Sequence, residues 1–296
     1  MNMLRVSRKT IALFVLPCLL LYLLFVFMPI IVSMYYALMQ WDGMTDAKFV
    51  GLHNFKVMFT LDPVFWPAVR RALLFSLFSM AEIPFALWIA ILLSRRIRRP
   101  NFLISSYFLP VILSVVVVGQ LWKSIYNPAS YGGLLNKLLE SVGLASWTHT
   151  WLAEPGLAMY AIFVVSLWQY LGYHIMIQFT GVQNIPHDIY EAAKIDGAEG
   201  FKADRYITFP LVAPVFKISM VLAIIGSLNA FDMIIVMTGG GPGNATDVIS
   251  TLMYNKTFLS LEYGYGSALS VFLVAESLVA TVLLNALFKR YENSAS

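Results

Sequence analysis

A chain of 296 residues with 59% hydrophobic and only 12% charged side chains, at a mean hydropathy of +0.74, is too poor in charge for a water-soluble globule, where about a quarter of residues are charged. Most of its surface should meet lipid. Its net charge of +4 is modest, with bases scattered at segment ends, which fits a topology signal better than a nucleic-acid groove. The single cysteine, Cys18, excludes an internal disulfide and a cysteine metal cluster.

The chain opens on Arg5, Arg8 and Lys9, then runs uncharged from Ile11 to Met39. That run is far longer than the apolar part of a signal peptide, about 7–15 residues, and no clean small-x-small site closes it. It is expected to be the first membrane helix. Trp41 to Arg71 is mixed and aromatic, an exterior loop with a short interfacial helix near GLHNFKVMF. The second span is expected over Ala72–Leu93 and is followed by the basic RRIRRPN. The third covers Leu103–Ile125, and Tyr126–Pro155 is a loop with turns and an interfacial helix. The fourth covers Leu157–Thr180, the fifth Val212–Thr238 and the sixth Tyr265–Phe288, with an aromatic loop at Tyr254–Gly264.

Six spans put both termini on one side. That side carries Arg5, Arg8 and Lys9, then Arg95, Arg96, Arg98 and Arg99, then Lys194, Lys202 and Arg205, and finally Lys289 and Arg290. The excess assigns this side to the cytoplasm. No internal repeat stands out, which weakens secondary-transporter folds built on repeats. No loop is long enough for a soluble domain.

The longest charged stretch between two apolar segments is therefore cytoplasmic: DIYEAAKIDGAEGFKADRYITFPLVAP, from Asp188 to Pro214. Asp188 followed by Glu191 is a capping-box-like pair that can start a helix. Gly197 can close that helix in the left-handed conformation. Ile189, Ala192 and Ala193 share a face by their spacing. Two alanines leave the face shallow, so another surface can approach closely. A second short helix is expected over Glu199–Phe209, with Pro210 and Pro214 setting the start of span five. A plain connector between spans would explain a short helix but not some thirty residues of capped structure.

Glu191, Ala192, Ala193, Asp196, Gly197, Ile207 and Pro210 match the coupling-loop motif of permeases in binding-protein-dependent ABC importers; Phe209 stands where leucine is usual. FDMIIVMTGGGPGNAT from Phe231 to Thr246, VGLHNF from Val50, and the later YNKTF and YGYGSA stretches resemble the carbohydrate-uptake, maltose-type branch. The resemblance covers nearly the whole chain. It implies an all-α integral membrane protein with about six transmembrane helices and the type I ABC importer permease fold. One transmembrane domain then fills residues 1–296, with core spans at 72–288 and the coupling loop at 184–212. It also implies a second, paralogous permease, two cytoplasmic ATPase subunits and an extracytoplasmic solute-binding protein. This chain would bind no cofactor, ATP and Mg being used by the ATPase, and would catalyse no reaction itself. Gly240, Gly241 and Pro242 would lie in a loop that meets the binding protein.

Polar groups inside the spans cost at least about 2.5–3.5 kcal/mol for a charge at the bilayer centre, so each needs a reason. Glu82 lies before Pro84, Glu276 midway along span six, and Asn229 and Asp232 at i, i+3 in span five. Gln169, Tyr170 and Tyr173 lie in span four. Planar carboxylates and amides beside aromatic rings suit a sugar. Helix–helix hydrogen bonding is the plainer alternative for each. Glu82, Asp232 and Glu276 also allow an ion-coupled secondary transporter. The triple glycine before Pro242 lacks the Lys-Ser/Thr of a phosphate cradle. The four histidines are scattered, and no catalytic constellation for a membrane-embedded enzyme stands out.

Overall fold

The computed structural model describes residues 8–97 and 99–295. Arg5 and Arg98 of the basic clusters lie outside the described residues, as do the side chains of Arg8, Lys9, Arg96 and Arg290. Among the described residues, five helices are long and apolar enough to cross a membrane: Ala12–Tyr36, Phe65–Arg95, Ala158–Gln183, Phe201–Leu228 and Tyr263–Lys289. A sixth crossing is formed if Phe102–Ile112 and Val115–Tyr126, set at 93° to each other, count as one.

The chain divides into two compact units. The first comprises residues up to Pro63 together with Met253–Val274. It contains α1 (Ala12–Tyr36), a two-residue antiparallel pair, β1 (Met39–Gln40) with β2 (Lys48–Phe49), and α2 (53–61). The pair closes the segment after α1 into a hairpin that the sequence did not announce. Asn54 of α2 holds it by donating to the main-chain carbonyls of Ala37 and Met39, at 2.9 and 2.8 Å. The large apolar side chains of α1, from Leu13 to Tyr35, are exposed, which in water would be untenable and in lipid is the favoured state.

The second unit, Val64–Leu252 and Ala275 onward, is a helical bundle. Its helices are α3 (Phe65–Arg96), α4 (Pro100–Ile112), α5 (Val115–Tyr126), α6 (Leu134–Ser141), α7 (Ala158–Gln183), α8 (His187–Ile195), α9 (Phe201–Leu228), α10 (Asp232–Met237) and the start of α11 (249–259), up to Leu252. The last helix, α12 (Tyr263–Ala295), gives residues 275 onward to this unit. Helix α7 is its spine, packed against α3, α4 and α9. At Gly172 the backbones of α7 and α4 come so close that a β-carbon would land on the Tyr107 carbonyl. Close approach at a small residue is how membrane helices gain packing that lipid cannot supply. Ile162, Val165, Val118, Leu228 and Ile234 fill one core, and Ile83, Val212 and Phe216 another.

Three expectations are corrected. The third span is not one helix: α4 stops at Ile112 and α5 starts at Val115 after the 93° turn. Leu113 and Ser114 adopt extended ψ angles of 143° and 133°, which no helix can hold. The fifth span ends at Leu228, so Asp232 begins a separate short helix rather than the next turn beyond Asn229. The expected aromatic loop from Tyr254 is helical to Leu259.

Candidate functional site

The charged stretch forms two helices, as its residues suggest, with a different start. Helix α8 begins at His187 behind Pro186, not at an Asp188 cap. Pro186 holds φ at −57° and presets the turn. Asp188 falls in the first helical turn, where its charge suits the positive end of the helix dipole. Glu191 turns outward, 3.2 Å from His187 Nδ1 one turn back. Gly197, at φ +75°, ends the helix. Its N–H donates to Lys194 O at 3.1 Å and the Ala198 N–H reaches back to Ala193 O at 2.8 Å. These are the paired bonds of a Schellman stop, which needs a left-handed residue.

Ile189, Glu191, Ala192, Asp196 and Gly197 are exposed, while Ala193 is buried. So α8 presents one shallow face outward and seats the other. Residues 201–208 do not form a separate helix. They run through a wide turn at Asp204–Thr208 directly into the span. That wide turn accommodates Pro210, which lacks the N–H a regular turn would use. Ile207 is half-buried and Pro210 exposed at this join.

Within the same bundle lies a cavity of about 350 Å3. Glu82 from α3, Tyr170 and Tyr173 from α7, Asn229 from the end of α9 and Asp232 from the start of α10 all line it. Five of the six residues singled out for a solute pathway are thus brought together. Breaking the helix at Asn229–Phe231 is what places Asn229 and Asp232 around one space. Asn229 donates to Ile225 O at 2.8 Å and Ser277 Oγ at 3.2 Å, which leaves its carbonyl oxygen available. Glu82 is 6% exposed, and its Oε1 has no hydrogen-bond partner.

Gln169 is not in that lining. It is 1% exposed and donates from Nε2 to Leu113 O, 3.4 Å away, at the corner between α4 and α5. His174, passed over as one of four scattered histidines, does line the cavity. Its Nδ1 lies 2.8 Å from Ser219 Oγ, and both side chains are buried. Its helical spacing from Tyr170 was the signal available in the sequence. Glu276 stays away from the cavity lining, with both carboxylate oxygens unpartnered. Among the described residues no three His, Cys, Asp or Glu side chains are grouped to hold a metal.

Gly240, Gly241 and Pro242 lie in a tightly tied loop. Gly240 is buried, Gly241 and Pro242 are half-buried, and Gly243 and Asn244 form the exposed tip. Asp247 anchors it, accepting from Asn244 Nδ2 at 2.7 Å and Thr251 Oγ1 at 2.8 Å. Thr246 Oγ1 donates to Gly241 O at 2.8 Å. Arg71 of α3 donates to the Asp247 main-chain carbonyl at 2.7 Å.

The family model described as "Binding-protein-dependent transport system inner membrane component" matches residues 6–293. A probable ABC transporter permease of Pyrococcus horikoshii is 36% identical over 92% of this chain and 93% of its own. The trehalose/maltose transport system permease of Thermococcus litoralis is 34% identical over 88% of this chain and 86% of its own. Among solved structures, a chain of a bacterial alginate ABC transporter, in complex with an alginate pentasaccharide-bound periplasmic protein, superposes with a TM-score of 0.82 at 21% identity. That match covers 96% of this chain and 95% of the other, so the fold is that of an importer permease.

Proposed function

This chain belongs to the binding-protein-dependent transport system inner membrane components, and on that premise we propose that its cavity passes a sugar, an oligosaccharide or a related polyol. The protein is a multi-pass cell-membrane permease subunit of an ATP-driven importer that works with a solute-binding protein and an ATPase. The observation that carries the solute class is the convergence of Glu82, Asn229 and Asp232 with Tyr170 and Tyr173 on one cavity. Carboxylate and amide oxygens accept from vicinal hydroxyls, and the rings cover apolar sugar faces. The transport of trehalose and maltose by the Thermococcus litoralis system supports the same class.

Coupling runs through α8. Its exposed Glu191, Ala192 and Ile189 dock in a cleft of the ATPase, and the Gly197 stop keeps the helix a rigid lever that transmits a rigid-body motion. Asp196 fixes the turn after α8, and Ile207 and Pro210 fix the passage from the wide turn at the head of α9 into its regular part. Ala193, on the seated face, holds the lever to the bundle. The loop tip beside Gly240, Gly241 and Pro242 faces the solute-binding protein. A second, paralogous permease completes the pathway, with two ATPase subunits beneath. ATP and Mg are bound by the ATPase, and this chain supplies no catalytic group. The basic clusters put both termini in the cytoplasm.

The test is uptake into proteoliposomes holding the chain with its co-purified permease, ATPase and binding protein. Labelled sugars should enter only with ATP inside, and a protonophore should not stop them. Uptake that collapses with the proton gradient and needs no ATPase would instead make Glu82 and Asp232 ion carriers.

A further inference from the structure

Arg95 belongs to neither the coupling motif nor the cavity lining, yet it joins the elements that carry them. Its Nη1 lies 2.6 Å from Asp204 Oδ1, and Nη2 donates to Thr208 Oγ1 at 2.7 Å. Nη1 also points at Gly200 O, 3.5 Å away. The guanidinium lies over the Tyr190 ring, 4.9 Å from its centroid. The Tyr190 hydroxyl in turn meets Thr208 Oγ1 at 3.0 Å, and Thr208 is fully buried. One side chain in the last turn of α3 thus touches α8, the turn after it and the head of α9. Lysine could not do this, since only the planar guanidinium offers a donor fork and a stacking face together. The Arg95 and Asp204 side chains are 28% and 26% exposed, so this is not the freely solvated ion pair that contributes little.

We propose that Arg95 is a positioning residue that clamps the coupling helix α8 and the head of α9 to α3, so that a displacement of α8 reaches the cavity wall through α3. Helix α3 is continuous through Pro84 and carries Glu82 and Ser79 into the cavity lining. From Arg95 back to Glu82 is a reach of roughly 20 Å at about 1.5 Å per residue. A continuous helix carries a rigid-body shift over that distance, whereas the glycine-bearing turn at Ala198–Gly200 would absorb it.

The clamp rests on the reading of α8 as the ATPase-docking helix, and the test separates the two. In a Cys18→Ser background, Ser79→Cys reports cavity access by its labelling with a membrane-impermeant maleimide. Labelling is compared without nucleotide and with ATP plus vanadate, in the complex with the co-purified ATPase. If the parent shows no nucleotide-dependent change, the docking reading fails and takes the clamp with it. With that change present, Arg95→Ala should cut it about tenfold, within the usual range of coupling between sites. Asp204→Asn should act in the same direction, and the reversed pair Arg95→Asp with Asp204→Arg should recover part of it. The ATPase should stay bound in every variant. Parent-like labelling in Arg95→Ala overturns the clamp. A loss that the reversed pair leaves unrecovered marks a merely structural arginine and overturns it as well.

Discussion

The amide of Gln169 donates to the main-chain carbonyl of Leu113, 3.4 Å away, where α4 turns through 93° into α5. A turn inside a membrane-spanning bundle frees backbone carbonyls that lipid cannot satisfy, so a buried side chain has to meet one. Gln169→Leu should therefore lower the thermal stability of the detergent-solubilised chain by about 1 kcal/mol, the usual worth of such a bond. Solute affinity of the assembled transporter should hardly change. A fall in affinity at unchanged stability would return Gln169 to the solute pathway.

Asn229 and Asp232 should behave in the opposite way. Both are exposed to the cavity, and each offers acceptors to a hydroxylated solute. Asn229→Ala and Asp232→Ala should each weaken solute-stimulated ATP hydrolysis by about 1–2 kcal/mol in apparent affinity, the worth of a hydrogen bond with or without charge. The check is the concentration dependence of stimulation across a panel of oligosaccharides. Unchanged half-saturation in both variants would remove them from the pathway.

The Gly239–Thr246 loop hangs on Asp247, which is 1% exposed and accepts from Thr251 and Asn244. Asp247→Ala removes the acceptor that ties these two side chains together, although Thr251 Oγ1 keeps the Val248 carbonyl at 3.0 Å, and each such bond contributes about 1 kcal/mol. Limited proteolysis should then cut at the Gly243–Asn244 tip, where the parent resists. Equal resistance would mean that the tie from Arg71 to the backbone suffices.

Glu154 gives the segment before α7 a pH response. The Thr150 N–H at 2.8 Å, the Thr150 hydroxyl at 3.0 Å and His149 at 3.1 Å hold its carboxyl below the ordinary range. A depressed folded value means that the contribution is full above the unfolded pKa and is lost as pH falls through the folded one. The fluorescence of Trp151 should therefore shift on acidification below the usual carboxylate range, and Glu154→Gln should abolish that shift. A shift that survives the substitution would assign the response to another group.

The spans were legible because hydropathy over twenty residues leaves little choice in lipid. The stop at Gly197 was legible because a left-handed residue states its own geometry, whereas the paired alanines do not share the exposed face expected of them: Ala192 is exposed and Ala193 is buried. What escaped has physical reasons. The corner at Leu113–Ser114 contains no glycine, and Pro110, the visible breaker, sits inside α4. The break after Leu228 carries no glycine or proline, so Asn229 and Asp232 read as polar groups within one span rather than as its end. Arg95 read as a topology charge because its partner, Asp204, lies 109 positions away and only packing of α3 against α9 brings them together. The helix start moved because Pro186, rather than the Asp188 side chain, fixes the first turn.

The most direct test of the whole reading is Ala192→Trp. Ala192 is exposed on α8, so a large side chain there meets no neighbour within the chain and should leave folding and membrane insertion intact. It would fill the shallow face that we propose as the docking surface for the ATPase. The expected result is a parent-like chain by thermal unfolding that no longer retains its ATPase on co-purification and takes up no sugar with ATP. Full ATPase retention and full uptake in Ala192→Trp would contradict the claim that force enters the pathway through this helix.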